Sequence, residues 1–409
     1  MESKAKTVSV NSHKDLTNTS QSAMNIISSS IKNNVRQYTM ALALLSIWGI
    51  FTILTGGTFI SFRNLSNLFL QSSTIAILAV GMVLVIVAGH IDLSVGSVAG
   101  LLGGIAGILM AKQNLGTLPT IIITLGIGLL IGIWQGYWVA YRQVPAFIVT
   151  LAGMMVFRGI LIGITGGNTI GPMNDNFKLI GQGYLPKMSN LPFNDTSAIV
   201  GLIFILLFII FDLKKRKTRQ KYGFEVLPIH LQILKITGIS ILIALVLSIM
   251  VGYMGIPYAI LLLIGIVVLF TFIATKTSFG RHIYAIGGNK EAARLSGINI
   301  KKTNMMIFVI MGLMSAVAGI VFTARLNAAN AAAGNLFELD AIAAAIIGGT
   351  STMGGEGTIV GAIIGALVMA SLDNGMSLMN VDVTYQYIVK GLILLLAVWV
   401  DIETRKKAT

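Results

Sequence analysis

Apolar stretches of membrane-crossing length follow one another along most of this chain, separated by short polar segments. An α-helix rises about 1.5 Å per residue, so about 20 apolar residues cross the roughly 30 Å hydrocarbon layer of a bilayer. The pattern predicts an all-α, polytopic membrane protein with about ten transmembrane helices plus short broken helices. The predicted spans are 38–54, 68–89, 98–110, 119–140, 145–165, 198–211, 233–253, 257–274, 304–323, 361–372 and 387–400.

Polar residues interrupt the apolar pattern at 89–96 and again before Gly357. A hydrophobic segment broken in this way is typical of a discontinuous helix that lines a cavity. Duplicated broken helices are common in transporters, so a repeat here indicates inverted or pseudo-repeated halves. The glycines after the two breaks align at an offset of 261 residues: Gly96, Gly100 and Gly104 with Gly357, Gly361 and Gly365.

The two ends of the chain are polar. Residues 1–37 are rich in Ser, Asn and Lys and offer little to bury, so we expect a disordered cytoplasmic tail without a removable signal peptide. Residues 403–409 are expected to form a short basic cytoplasmic tail. The membrane domain is therefore expected to span 38–402, with one long polar loop at 278–302.

The basic residues indicate the orientation of the chain. Of the 29 Lys and Arg residues, 21 fall in segments that alternate crossings place on one side: 1–39, 142, 214–221, 276–302 and 405–407. Basic loops favour the cytoplasm, so both termini are expected there. The short apolar run 341–349 must then supply a further full or half crossing, with 325–340 outside.

The charge and the remaining residue types exclude several function classes. The formal net charge of +14 does not indicate nucleic-acid binding, because the basic residues lie in separate loops and not on one folded face. The chain has no cysteine, its histidines have no partners at metal-ligand spacing, and no Ser, His and Asp set indicates a hydrolase. Gly287-Gly288 lacks the Gly-Lys-Ser/Thr ending of a phosphate loop. We expect neither an enzyme nor a metal or cofactor site.

The polar loop 278–302 contains the pattern of a short helix. Asn289 can cap it, Glu291 favours the positive first turn, and Gly297 can end it in a left-handed conformation. A two-turn helix is not stable alone in water, so it either packs against something, such as another protein, or the segment is a solvated loop. The candidate contact residues are Asn289, Glu291, Ala292, Ala293, Arg294, Leu295 and Gly297.

Asp92 is the acid within the first polar interruption. At the centre of a span an aspartate costs about 2.5–3.5 kcal/mol, so it needs a partner, water or a helix end. It either caps the following helix through the amide of Ser94 or Val95, or shapes a polar passage, and both roles are compatible. Four further acids either form a proton relay or cap broken ends: Glu338, Asp340, Glu356 and Asp373. The candidate pathway residues are Asp92, Ser94, Gly96, Glu338, Asp340 and Asn374.

Several long motifs resemble the ribose- and xylose-type permeases of bacterial ABC sugar importers: residues 89–96, 144–153, 279–299 and 337–349. The likeness covers residues 62–401. Glu291-Ala292-Ala293 followed by Gly297 is similar to the Glu-Ala-Ala-x-x-x-Gly loop of such permeases, whose short cytoplasmic helix docks into the ATP-hydrolysing subunit. Residues 88–94 and 371–379 look most like the xylose permease and its multiple-monosaccharide relatives.

The resemblance implies a homodimer of this subunit in the bacterial plasma membrane, in contact with lipid. Two ATP-binding subunits would lie below it and a sugar-binding protein outside, with ATP hydrolysis on the separate subunit. The implied substrate is a monosaccharide, with xylose favoured and ribose, arabinose, galactose or glucose as alternatives. A proton-coupled sugar symporter is a different class, which uptake without an ATPase would indicate.

Overall fold

The structure is a computed structural model that describes residues 39–224 and 226–406, with side chains up to 403. In these residues every regular element is a helix, beside two isolated β-bridges, which confirms the all-α prediction. The expected tail 1–37 and residues 407–409 lie outside the described part. The helices are α1 Thr39–Leu54, α2 Phe62–Val87, α3 Val95–Ala111, α4 Thr117–Ala140, α5 Ala146–Thr165, α6 Asp175–Gln182, α7 Asp195–Lys221, α8 Ile229–Val251, α9 Tyr258–Lys276, α10 Ser278–Gly288, α11 Lys290–Leu295, α12 Ile300–Leu326, α13 Phe337–Ile347, α14 Ile359–Leu378 and α15 Val383–Lys406.

Nine helices in the described part of the chain are long and apolar enough to cross a bilayer: α2, α4, α5, α7, α8, α9, α12, α14 and α15. Two shorter apolar helices are α1 and α3. Some helices extend past the predicted spans. α7 runs through the basic cluster to Lys221, because Lys and Arg are good helix formers and stabilise the negative C-terminal end of a helix. α15 reaches Lys406, so residues 403–406 are helical, and the basic cytoplasmic tail at 403–409 stays a prediction.

α2 and α12 form the centre of the bundle, and α4 packs on α12 through glycines. A Cβ atom on Gly132 would lie 2.5 Å from the carbonyl oxygen of Phe308, and one on Gly128 would lie 2.7 Å from the Cβ of Ala316. Small residues allow helices to approach closely in lipid, where hydrophobic burial does not drive association. The glycines that recur four apart on α4 therefore form a helix contact.

After α12 the chain returns through the bundle without a full-length helix. The segment 329–334 runs antiparallel along α3 and contains turns, with Ala329 at Gly107, Ala333 at Gly100 and Gly334 at Gly96. α13 continues from there for 11 residues, or about 16 Å. The prediction that 325–340 lies outside is wrong for 329–340, because small residues on both sides let this segment pack against the α3 glycines. The run 341–349, predicted as a short crossing, forms the C-terminal part of α13 and its end.

The two ends of the bundle carry different elements. At the end that we call the α6 end, the Gln182 side chain donates a hydrogen bond to the carbonyl oxygen of Arg325, close to the end of α12. At the same end, the backbone amide of Tyr258, where α9 begins, donates to the carbonyl oxygen of Gly183. The opposite end, the α11 end, holds α10, α11 and the last turn of α2. It also holds two non-helical segments, which we call the first break, 88–94, and the second break, 348–358.

Candidate functional site

The polar loop 278–302 folds into two helices, α10 and α11, where the sequence predicted one. α11 has the predicted ends: the Asn289 side chain accepts from the amide of Ala292 at 2.9 Å, and Gly297 has φ +81°. α10 was missed. Its signal was the apolar spacing of Ile283 and Ile286, which are both buried on one face of the helix.

α11 presents most of its predicted contact residues to the surface. Leu295 is 82% exposed, and Arg294 pairs with Glu291 at 3.0 Å on the exposed side. Ala293 is the exception, because only 4% of it is exposed and it packs inside the chain. The buried methyl group packs α11 against the rest of the chain, and the predicted contact of Ala293 with a partner stays a prediction.

A cavity of about 860 Å³ opens beside α11 at the same end of the bundle. It lies between α11, the first break and the turn that joins α4 to α5. Its polar lining includes His90, Gln143, Lys290, Glu291, Arg294 and Asn304. The first break and α11 are therefore neighbours, although about 200 residues of sequence separate them.

Asp92 is buried in the first break, with 1% exposed. Its Oδ1 atom accepts from the amide of Ser94 at 2.8 Å and from the Ser94 hydroxyl at 2.7 Å. Gln135 on α4 donates to that hydroxyl at 2.6 Å. The predicted bond to the Ser94 amide is present, and it stabilises the start of α3. Gln135 was missed, because a single polar residue in an apolar span does not reveal its partner.

Glu338 lies beside this network, where α3 and α13 both begin. A Cβ atom on Gly96 would overlap the Glu338 carboxylate, which is also within electrostatic range of Asp92 and Arg158. Arg158 on α5 donates to the carbonyl oxygens of Ala333 at 2.6 Å and Ala331 at 3.3 Å, so it holds the segment 329–334 against α3. The N-terminal ends of two helices favour negative charge at this point. The first polar cluster, as we call it, brings together four predicted candidates: Asp92, Ser94, Gly96 and Glu338.

The other two candidates lie in a second polar cluster between α13, α14 and α15. Lys390 of α15 binds Asp340 at 3.0 Å and Asp373 at 2.9 Å. Asn374 exchanges two side-chain hydrogen bonds with Asn64, at 2.8 and 3.0 Å. Asp340 and Asn374 thus join helices to one another, and this pairing favours an anchoring role for these acids over a relay. Lys390 was missed for the same reason as Gln135.

No group of three or more metal-ligand side chains that could hold an ion occurs among the described residues. The histidine beside the α11 cavity, His90, packs its ring against Phe308 at 5.9 Å. Most polar side chains of the two clusters bind one another or the backbone, whereas one buried carboxylate oxygen of each of Glu338, Asp340 and Asp373 has no hydrogen-bond partner. Their arrangement can hold broken helix ends and offer polar groups to a small hydroxylated molecule.

The comparisons with known proteins agree with this architecture. A family model described as a branched-chain amino acid transport system permease component matches residues 64–398. The xylose transport system permease protein of Haemophilus influenzae is 46% identical over 374 residues, covering 91% of this chain and 98% of that protein. The Escherichia coli K12 xylose transport system permease protein is 48% identical over 376 residues, covering 92% and 94%.

A ribose import permease protein of Escherichia coli K12 is 34% identical over 344 residues, which covers 84% of this chain and 87% of that protein. No solved structure matches. The family match spans α2 to α15 and therefore includes both breaks, both polar clusters and α11. The chain belongs to this family of transport-system permease components, and it is a multi-pass membrane transport protein, not an enzyme.

Proposed function

We propose that this chain is the permease subunit of an ATP-driven importer that moves a monosaccharide, first of all xylose, across the bacterial plasma membrane. The observation that carries the proposal is the identity of 46–48% to xylose permeases over 91–92% of the chain, against 34–35% to ribose permeases. The family description names amino acid transport. Both groups of similar permeases carry sugar names, so a sugar is the favoured cargo.

The exposed face of α11 is the proposed docking site for an ATP-binding subunit. Leu295 supplies an apolar anchor, and Glu291 and Arg294 supply a charged rim, which is the composition of a protein interface. Asn289 and Gly297 fix the two ends of the helix. A homodimer of this chain presents two such helices, one for each of two ATP-binding subunits.

The α11 end of the bundle is the proposed cytoplasmic end. The basic residues of 214–221 finish α7 at this end, and those of 276–302 surround α10 and α11. Positive residues favour the cytoplasmic side of a membrane, which supports both termini there. The α6 end then faces outward, where a sugar-binding protein delivers the cargo and determines most of the specificity.

The first polar cluster is the proposed lining of the passage. Asp92, Ser94 and Glu338 lie where α3 and α13 begin inside the bundle. Gly96 has no side chain, so the Glu338 carboxylate can approach the α3 backbone closely. Carboxylate and hydroxyl groups can exchange hydrogen bonds with a sugar as it passes. The second polar cluster joins α13, α14 and α15 through the ion pairs of Lys390, so we assign it to anchoring.

Uptake of labelled sugar tests the proposal directly. The chain is expressed with its ATP-binding and sugar-binding partners in bacteria that lack their own xylose importers. Xylose uptake is expected to exceed uptake of ribose, arabinose, galactose and glucose. Preference for another of these sugars would change the cargo but keep the mechanism, and uptake of branched-chain amino acids alone would contradict the proposal.

An inactivated ATP-binding partner separates the importer from a symporter. Xylose uptake is expected to stop when the catalytic glutamate of the ATP-binding subunit is replaced, and to survive an agent that dissipates the proton gradient while ATP is maintained. The reverse result would support a proton-coupled symporter.

A further inference from the structure

At the α11 end of the bundle the second break contacts the last residue of α2, directly before the first break. The amide of Gly355 in the second break donates a hydrogen bond to the carbonyl oxygen of Val87, the last residue of α2 before the first break. The distance is 2.9 Å. This single backbone bond joins segments that are 268 residues apart in sequence.

α10 packs onto this bond with no space left between them. A Cβ atom on Gly287 would overlap the Val87 carbonyl oxygen and lie 2.5 Å from the Gly355 nitrogen. On the other side, Gly354 and Gly355 have φ +85° and +76°, and a Cβ atom on Gly354 would lie 3.0 Å from the Gly287 carbonyl oxygen. Glycine at these positions is what allows three backbones to touch.

A side-chain hydrogen bond fixes the same contact from α10. The Tyr284 hydroxyl donates to the carbonyl oxygen of Gly357 in the second break at 2.8 Å. Burial raises the pKa of Tyr284, so the hydroxyl keeps its proton and stays a donor. Gly357 is followed by Thr358, the N-cap of α14, so α10 is tied to the helix that the second break introduces.

α10 is also joined to α11 without a flexible linker. The Asn289 amide donates to Ala285 of α10 at 3.0 Å, and the Asn289 carbonyl accepts from Ala293 of α11 at 2.9 Å. Asn289 is thus the C-cap of one helix and the N-cap of the next. A displacement of α11 moves α10 with it, because no residue between the two helices is free to absorb the change.

We propose that Gly287 and Tyr284 are positioning residues through which α10 clamps the two breaks together, so that a movement of α11 reaches both breaks at once. The inference rests on the proposed function, in which an ATP-binding subunit moves α11. The first break leads into the first polar cluster, and the second leads into α14, which holds the second polar cluster. One clamp on the α11 end therefore controls both clusters.

Two adjacent glycines supply a matched pair of variants. Gly287→Ala adds a methyl group where three backbones meet, whereas Gly288→Ala adds the same group where nothing lies within 4 Å. Both residues are in α10, so helix propensity changes equally. Each variant is reconstituted in lipid vesicles as the complete complex with both partners, and xylose uptake, ATP hydrolysis and the amount of assembled complex are measured.

Gly287→Ala is expected to lower uptake per ATP hydrolysed by about tenfold or more, because overpacking a closed contact displaces the breaks. Assembly and basal ATP hydrolysis remain, and Gly288→Ala behaves as the unchanged chain. A purely structural role for Gly287 would lower the amount of complex and leave this ratio unchanged. The same uptake per ATP hydrolysed in both variants and in the unchanged chain would refute the proposal that α10 clamps the breaks.

Tyr284→Phe provides a second test that does not depend on the folding of Gly287→Ala. It removes one hydroxyl and keeps the ring, so the complex is expected to assemble with uptake per ATP reduced by about threefold to tenfold. An unchanged ratio in this variant contradicts the inference. If the unchanged chain itself imports no sugar, the proposed function fails instead, and the two failures are thereby distinguished.

Discussion

α2 and α8 are about equally apolar, yet they occupy opposite environments. In α2, 89% of the most apolar window is buried inside the chain, against 6% in α8. Water-driven burial cannot explain the difference, because lipid is as apolar as the side chains of both helices. Hydrophobicity determines that a helix crosses the membrane, and it does not determine where in the bundle the helix lies.

Small residues and polar contacts account for the central position of α2. Gly81 lies against Met311 of α12, and Asn64 pairs with Asn374 of α14. The polar residues Gln232 and Lys235 of α8 instead bind Asp212 of the neighbouring helix α7. Packing in this bundle therefore depends on close backbone approach and on paired polar groups.

The largest effect is expected where a charge in the bundle loses its partner. Lys390→Met leaves Asp340 and Asp373 without a cation and is expected to cost about 3–5 kcal/mol of stability. Lys235→Met, at the partly exposed α7–α8 pair, is the matched control and is expected to cost less than about 1 kcal/mol. The free energy of unfolding in detergent measures both effects. Similar losses of stability in the two variants would contradict the expectation that the ion pair inside the bundle contributes more than the partly exposed pair.

A smaller effect is expected where a glycine contact is overfilled. Gly132→Ala places a methyl group against the α12 backbone and is expected to cost about 1–3 kcal/mol. Gly126→Ala, on the same helix, has nothing within 4 Å and is expected to be neutral or slightly stabilising, because alanine favours helices. The same unfolding measurement compares them; equal stability would show that α4 and α12 do not approach closely.

The smallest effect is expected at Asp92. Asp92→Asn keeps an acceptor oxygen for the Ser94 amide and is expected to cost about 1 kcal/mol while most ATP-driven uptake remains. Asp92→Leu removes the acceptor of the Ser94 amide and of the Ser94 hydroxyl and is expected to abolish uptake. Transport by vesicles containing each variant checks this. Complete loss in both would mean that the charge itself carries protons or cargo.

The sequence predicted the features that depend on local chemistry. Most spans, the first break and both ends of α11 follow from apolar length, from a buried acid and from cap residues such as Asn289. The path of segment 329–334 could not be predicted, because its residues are small and show no helical or strand periodicity. Its position depends on the α3 glycines, which are more than 200 residues earlier.

The sequence predicted which residues belong to the candidate site, but not which other side chains they contact. Asp92, Ser94, Gly96 and Glu338 come together as a cluster, but the sequence does not reveal Gln135 or Arg158 as their partners. The sequence did not predict that Ala293 is buried within the chain, because alanine fits equally well on a buried and on an exposed face of a short helix.

α11 lies outside the bundle of spans, so its exposed leucine tests the docking claim most directly. Leu295 is 82% exposed at the α11 end, and Met188 is 81% exposed near the α6 end. Leu295→Asp and Met188→Asp therefore add the same charge to equally exposed apolar positions at opposite ends. Co-purification of the ATP-binding subunit with each membrane-inserted variant is the measurement. We expect much less ATP-binding subunit to co-purify with Leu295→Asp and an unchanged amount with Met188→Asp. An unchanged amount with both variants, or a loss with Met188→Asp alone, would contradict docking at α11.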